Sequence, residues 1–180
     1  MDEIKKIDKS FNKSMFITKA NNIFIMLHTA IMMDDLNRVR HFISDELENK
    51  YESIIQNYNN NNLRKMYDEL NVKTTEIKYV EIEDDKININ VDLVSRYMDY
   101  FIDKETGENI SGENNKRIEK LNHLVFEKRI GNQYNNIARS CPGCGANIDV
   151  NSSGKCEYCG TIFNTEDYDW ILTDIETIDI

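Results

Sequence analysis

The spacing of apolar residues changes twice along this chain, and each change marks a different kind of element. Between residues 8 and 31, Phe11, Met15, Phe16, Ile23, Leu27, Ala30 and Ile31 recur at the three- and four-residue intervals of one helix face. Asp34 stands where it would cap a short second helix through Leu36, Val39 and Phe42. Ser44 followed by Asp45 and Glu46 is a stronger start signal, because a hydroxyl accepts from the first free amides and acids favour the positive end of the helix. The helix opened there carries Leu47, Tyr51, Ile54, Ile55 and Tyr58, and residues 63–70 read as its continuation or as a further short piece. Near Val72 the period falls to two. Ile77, Tyr79 and Ile82 predict a strand, Asp84-Asp85 a turn, and Ile87, Ile89, Val91 and Leu93 alternate strictly on one face. The apolar set then moves to the other parity at Val94, Met98 and Tyr100, which predicts a bulge or bend. Residues 104–107 and Gly112 read as turns, and residues 121–130 as a last long strand.

Helices first and strands after predict an α+β unit, with N-terminal helices packed on one face of a bent antiparallel sheet. A bent sheet wrapped around a long helix makes a cone, whose interior is either a packed core or a cavity for an apolar ligand. The pattern divides the chain at a polar stretch, residues 131–140, into a first unit over residues 1–135 and a second, much smaller one over residues 136–180. In the second unit, residues 168–175 alternate like a strand. The single tryptophan, Trp170, is expected to pack that strand against its own unit or against the first.

The second unit holds every cysteine. Cys141-Pro142-Gly143-Cys144-Gly145 and Cys156-Glu157-Tyr158-Cys159-Gly160 are two CxxC turns, each followed by glycine. Each turn presents two sulfurs to one ion, and the glycine permits a positive φ that aims amide N–H groups at the thiolates. Cys141, Cys144, Cys156 and Cys159 are therefore expected to hold one structural Zn²⁺. Four protein ligands leave no open position for a substrate. Iron in a site of the rubredoxin type takes the same ligands. Two disulfides need an oxidising compartment, and a redox pair needs a helix N-terminus that neither turn obviously opens.

Charge narrows the partners. The chain of 180 residues carries a formal net charge of −10. In residues 139–180, Arg139 and Lys155 stand against eight acidic residues, so the metal module itself is acidic. Phosphate contacts supply most nucleic-acid affinity, so no nucleic-acid partner is expected, although Tyr158, Phe163, Tyr168 and Trp170 are aromatic. No apolar run reaches the length of a membrane span. The absence of a recognisable leader, together with thiolate chemistry, points to the cytoplasm. At the N-terminus, Lys5, Lys6, Lys9 and Lys13, with Lys19, accompany Phe11, Met15 and Phe16. This set could lie on an anionic surface, or could be a core helix with a solvated lysine face.

Several pieces in order resemble a known family: Asp35-Leu36 with Arg40, Ile43-Ser44-Asp45-Glu46-Leu47, Tyr97-Met98-Asp99-Tyr100 with Ile102-Asp103 and Thr106-Gly107, then the two cysteine turns, then Asp169-Trp170-Ile171-Leu172. This order is similar to the bacterial Tim-forty-four-like domain proteins that end in a zinc ribbon, relatives of the subunit that tethers the mitochondrial import motor. The resemblance implies a cone-shaped α+β domain like that of nuclear transport factor two, and association with lipid membranes or transport machinery. It implies a non-enzymatic adaptor, with lipid or an apolar peptide in the cone and a protein partner on the ribbon, peripheral at the inner face of a membrane. Many bacterial relatives carry an N-terminal hydrophobic segment, which this sequence lacks. The alternative is an enzyme of the same cone-shaped fold, moving a proton on a small apolar substrate. That chemistry needs a carboxylate or imidazole in an apolar pocket, and Asp92, Asp99, His28, His41 and His123 are the candidates. No Ser-His-Asp order or phosphate loop accompanies them.

Overall fold

The computed structural model describes residues 2–9, 11–83, 85–130, 139–140, 146–148, 156–160 and 170–180. A short helix α1 (Asp2–Ile7) leads into the long α2 (Lys13–Met32), and two 3-10 turns (Leu36–Arg38 and Arg40–Phe42) connect it to α3 (Asp45–Asn60). Three long strands follow, β1 (Leu63–Glu83), β2 (Lys86–Asp103) and β3 (Asn109–Arg129). After two short strands, β4 (Arg139–Ser140) and β5 (Asn147–Ile148), the chain ends in β6 (Ile171–Asp179). The main sheet has the order β1-β2-β3-β6 and is antiparallel throughout; β4 and β5 form their own two-stranded ladder. The α+β layering read from the pattern is therefore what the chain adopts.

The start signals act as their chemistry requires. Asn12 caps α2 by accepting from the Met15 amide at 3.1 Å, and Ser44 caps α3 by accepting from the Leu47 amide at 3.2 Å. The cap before Leu36 is Asp35 rather than Asp34: Asp35 accepts from the Asn37 amide, whereas Asp34 lies at φ +54° and closes the end of α2. The following residues are too few for an α-helix and settle into 3-10 turns.

Three expectations are corrected along the strands. Residues 63–70 are the start of β1, because Leu63 to Asp68 pair with Asp103 to Met98 and the ladder overrides local helix preference. The change of face in β2 comes later than Val94. Ser95 and Tyr97 keep the inward parity of Ile87 to Leu93, and the register breaks between Tyr97 and Asp99. A polar Ser95 at an inward position hid that continuity. Its hydroxyl accepts from Asn122 Nδ2 at 2.9 Å, Asn122 also donates to the Leu93 carbonyl, and Thr177 donates to Asn122, so the buried polar row is satisfied. Gly112 is not a turn but lies inside β3, at φ +88°. A Cβ there would stand 2.3 Å from the Asp99 carbonyl oxygen, so only glycine permits the two backbones to meet at the bulge.

The division of the chain also changes. β6 hydrogen-bonds along β3 from Glu127↔Ile171 to Lys120↔Asp179, and its other edge touches the segment before α3, where the Ser44 amide donates to the Leu172 carbonyl at 2.9 Å. Trp170 is buried in the first unit. Its ring meets Phe16 edge-on at 5.2 Å and Phe11 at 6.0 Å, and Phe16 meets Phe126 at 5.4 Å. The end of the chain, assigned from its pattern to the second unit, thus completes the sheet and core of the first. Of the expected polar connector over residues 131–140, residues 131–138 lie outside the described residues and Arg139–Ser140 form β4.

Candidate functional site

Of the four expected metal ligands, Cys141 and Cys144 lie outside the described residues. The stretch that contains them joins β4 to β5, whose end residues Ser140 and Asn147 pair across the ladder. The second turn is described. Cys156 is buried and Cys159 exposed, the Gly160 amide donates to the Cys156 carbonyl at 2.9 Å, and Gly160 has φ +75°. A tight turn that brings the two ends of CxxC together, closed by a positive-φ glycine, fits a two-thiolate half-site for zinc. Tyr158, at its tip, is 79% exposed.

The expected membrane-contact set is divided by the fold. Lys5, Lys6, Lys9 and Lys13 are exposed, and so is Met15, which belongs to the outer side of α2 rather than to its buried face. Phe11 and Phe16 turn inward, because Trp170 and Phe126 offer them a packed aromatic cluster. They are core residues in this fold and do not face an external surface. Lys128 closes the same cluster: its ammonium pairs with Asp8 at 2.8 Å and lies 5.7 Å from the Trp170 ring centre.

The acid–base candidates separate into two places. Asp92 and His123 are cross-strand neighbours on the outward side of the sheet, with Asp92 Oδ1 2.5 Å from His123 Nδ1 and Lys78 Nζ 3.2 Å from Asp92 Oδ2. As the alternation implied, Asp92 points away from Ile89, Val91 and Leu93. His41 sits on a 3-10 turn, half-buried. Only His28 and Asp99 lie toward the interior. His28, on α2, is buried; its Nδ1 lies 2.9 Å from the Phe24 carbonyl and its ring packs edge-on against Tyr67 at 4.6 Å, which in turn meets Tyr97 at 5.4 Å. Asp99 forms an ion pair with Lys65, whose ammonium also lies over the Phe101 ring at 4.2 Å, and Phe101 packs edge-on against Tyr58.

Burial shifts the ring side chains of this polar and aromatic hub. Burial lowers His28 to about 4 despite the carbonyl that favours its charged form, so at neutral pH it is a neutral ring. Burial raises Tyr67 and Tyr97 well above the usual phenol range, with the Asp99 charge adding to the effect, and raises Tyr51 to about 12. None of these groups titrates near neutrality, which is where a proton-transfer catalyst needs its acid and base. The Asp99 carboxylate is held by Lys65 and is not an unpaired base. The hub therefore acts as a fixed polar end to the core. Lys65 and Tyr67 were not singled out from the sequence, and Tyr97 entered only through the family resemblance, not as an inward residue. Following the parity of Ile87 through Ser95 would have identified Tyr97; nothing local marks Lys65, which lies in the stretch that read as helix.

A shallow depression of about 380 Å³ is lined by Lys116, Arg117, Ile118, Glu119 and Ile180, none of them an acid–base candidate, and its lining is mostly charged. Among the described residues no helix is long and apolar enough to cross a membrane. Residues 1–137 match the family model for the Tim44-like domain. No curated protein matches the chain.

Proposed function

Because this chain belongs to the Tim44-like domain family, we propose that it is a transport-associated binding or tether protein that adsorbs on an anionic lipid surface through its N-terminal lysines. The family is generally non-catalytic. The observation that carries the lipid reading is the exposed set Lys5, Lys6, Lys9 and Lys13 beside exposed Met15, while the neighbouring Phe11 and Phe16 are withdrawn into the core. Adsorption is then electrostatic, with little insertion. About 1 kcal/mol per lysine near an anionic surface gives reversible, salt-sensitive binding.

The ribbon is the second half of the proposal. Cys141, Cys144, Cys156 and Cys159 would hold one Zn²⁺, which would fold a module too small and acidic to form a core of its own. Exposed Tyr158 beside Glu157 would present an aromatic and acidic tip to a basic protein partner at the cytoplasmic face of a membrane.

Flotation with phosphatidylglycerol-containing and neutral vesicles tests the lipid half. Binding only to the anionic vesicles, lost at about 0.5 M salt and lost on Lys→Glu substitution at the four positions, is expected. Equal binding to neutral vesicles, or none to either, overturns it. Metal analysis of the purified protein tests the other half, with one zinc per chain expected.

A further inference from the structure

The two long helices share one core with the inward side of the sheet, but they contribute to it very unequally. α2 buries eight of its 20 residues, and all of these except His28 are apolar. α3 buries only Leu47 and Ile55 of its 16. Along its inward stripe, Leu47, Tyr51, Ile55 and Tyr58, aliphatic side chains alternate with half-buried phenols. Near these phenols stand Tyr67 on β1 and Tyr97 on β2, with His28 packed against both. The Tyr58 ring meets Phe101 edge-on at 5.0 Å. Beyond the effect of burial, Tyr51, Tyr58, Tyr67 and Tyr97 are close enough to raise one another's ionisation. Among the described residues, none of these four hydroxyls has a hydrogen-bond partner, although Tyr97 is only 2% exposed. Polar groups without a protein partner are left to water, so the middle of the contact between α3 and the sheet is a polar seam rather than a dry one.

The ends of α3 are tied down by specific contacts instead. At its start, the Ser44 amide donates to the Leu172 carbonyl at 2.9 Å, Arg40 pairs with Glu48, and Leu47 is buried. At its finish, the turn between β2 and β3 forms a clasp. The Lys104 ammonium bridges Asn59 of α3 and Asp34 at the end of α2, and the Lys104 amide donates to the Asn62 carbonyl at 2.9 Å. Asn62, at φ +57°, reverses the chain into β1, and its side chain donates to Asp103 at 2.9 Å. The start is anchored by a buried aliphatic residue and a backbone bond. The finish rests on side chains that water can replace. The free energy of local opening follows buried apolar contact, and here that contact is slight. From this arrangement we infer that α3 is a strap that opens as a unit of its own, hinged at Ser44–Leu47 and released at the Lys104 clasp. Its opening uncovers His28 and Tyr97 while α2 and residues 87–93 stay folded.

Native-state hydrogen exchange of the full-length protein, resolved by residue, tests this. Amides of residues 48–58 are expected to be protected about 100-fold less than those of residues 23–27. Lys104→Ala is expected to speed exchange in α3 about tenfold and to leave residues 23–27 and 87–93 unchanged. The double variant Tyr51→Phe with Tyr58→Phe keeps both rings and removes two hydroxyls from the seam. It is expected to slow exchange in α3 about threefold, because a phenyl ring gains more than a phenol from staying covered. Labelling of His28 by diethyl pyrocarbonate, mapped by peptide mass, is expected to rise in Lys104→Ala together with α3 exchange. Protection of α3 equal to that of α2 overturns the inference, as does a Lys104→Ala variant that loosens all three regions alike. It is also overturned if the double variant does not slow exchange, or if His28 labelling stays constant while α3 opens faster. Loss of vesicle binding leaves it standing, since no N-terminal lysine belongs to the strap.

Discussion

The inward side of the sheet has two ends, and they obtain their order from different physics. At one end, Ile87, Ile89, Val91 and Leu93 join Leu124, Phe126 and the α2 residues Ile23, Phe24 and Leu27 in a core of hydrocarbon and aromatic carbon. Beyond Ser95 the same side carries Tyr97, with Tyr67 on β1, His28 on α2, and the Lys65–Asp99 pair beside them. The first end is stabilised by area removed from water, which is non-directional. The second depends on rings placed edge to face and on charges met by partners, and it tolerates little displacement. A bulge at Tyr97/Asp99 and a glycine in the neighbouring strand separate the two. One sheet thus supplies a tolerant core and a specific one.

Three substitutions test that contrast. Leu93 is fully buried at the hydrocarbon end. Leu93→Ala is expected to cost about 3–4 kcal/mol, as lost transfer energy plus a cavity, read from the shift in urea midpoint. A cost below about 1 kcal/mol would show that this end is not the main source of stability.

The polar end should instead reveal itself through pH. His28 has a folded value of about 4 against an unfolded value of 6.5, so as pH falls the unfolded chain takes up a proton first. The stability that depends on neutral His28 is complete above pH 6.5 and is lost progressively as pH falls to about 4, by about 3 kcal/mol in all. Urea titrations across that window, in the wild type and in His28→Phe, measure the difference. The variant is expected to lose most of the slope, and an unchanged slope would assign it to other groups.

The smallest expected effect is at the join. Gly112→Ala demands that β3 move away from the Asp99 carbonyl and that alanine adopt φ +88°. A loss of about 2 kcal/mol is expected, with faster amide exchange at residues 99–102 and little change at residues 87–93. Uniform acceleration along β2 would mean that the two ends unfold as one unit.

How much of this was legible depended on how local the signal is. The cap at Ser44 and the alternation of Ile87 to Leu93 act within a few residues, so pattern alone located α3 and most of β2, whereas the Asn12 cap of α2 was not read from the sequence. The second CxxC turn was legible for the same reason, and it has the positive-φ glycine that its sequence called for. The beginning of β1 was not legible, because residues 63–70 have no strand pattern of their own and are held extended by the ladder to β2. Lys65 was hidden with it, and Tyr97 was hidden by a single polar residue at an inward position.

From its sequence alone this protein's α3 start, its alternating strand, the acidity of its cysteine-bearing stretch and its layered α+β class were determined, since each follows from residues adjacent along the chain. Tertiary structure decided the rest. It brought β6 from the end of the chain onto β3 and turned Phe11 and Phe16 away from the surface toward Trp170. Burial and register are relations between distant segments, and a side chain acquires its environment only when the element opposite it arrives.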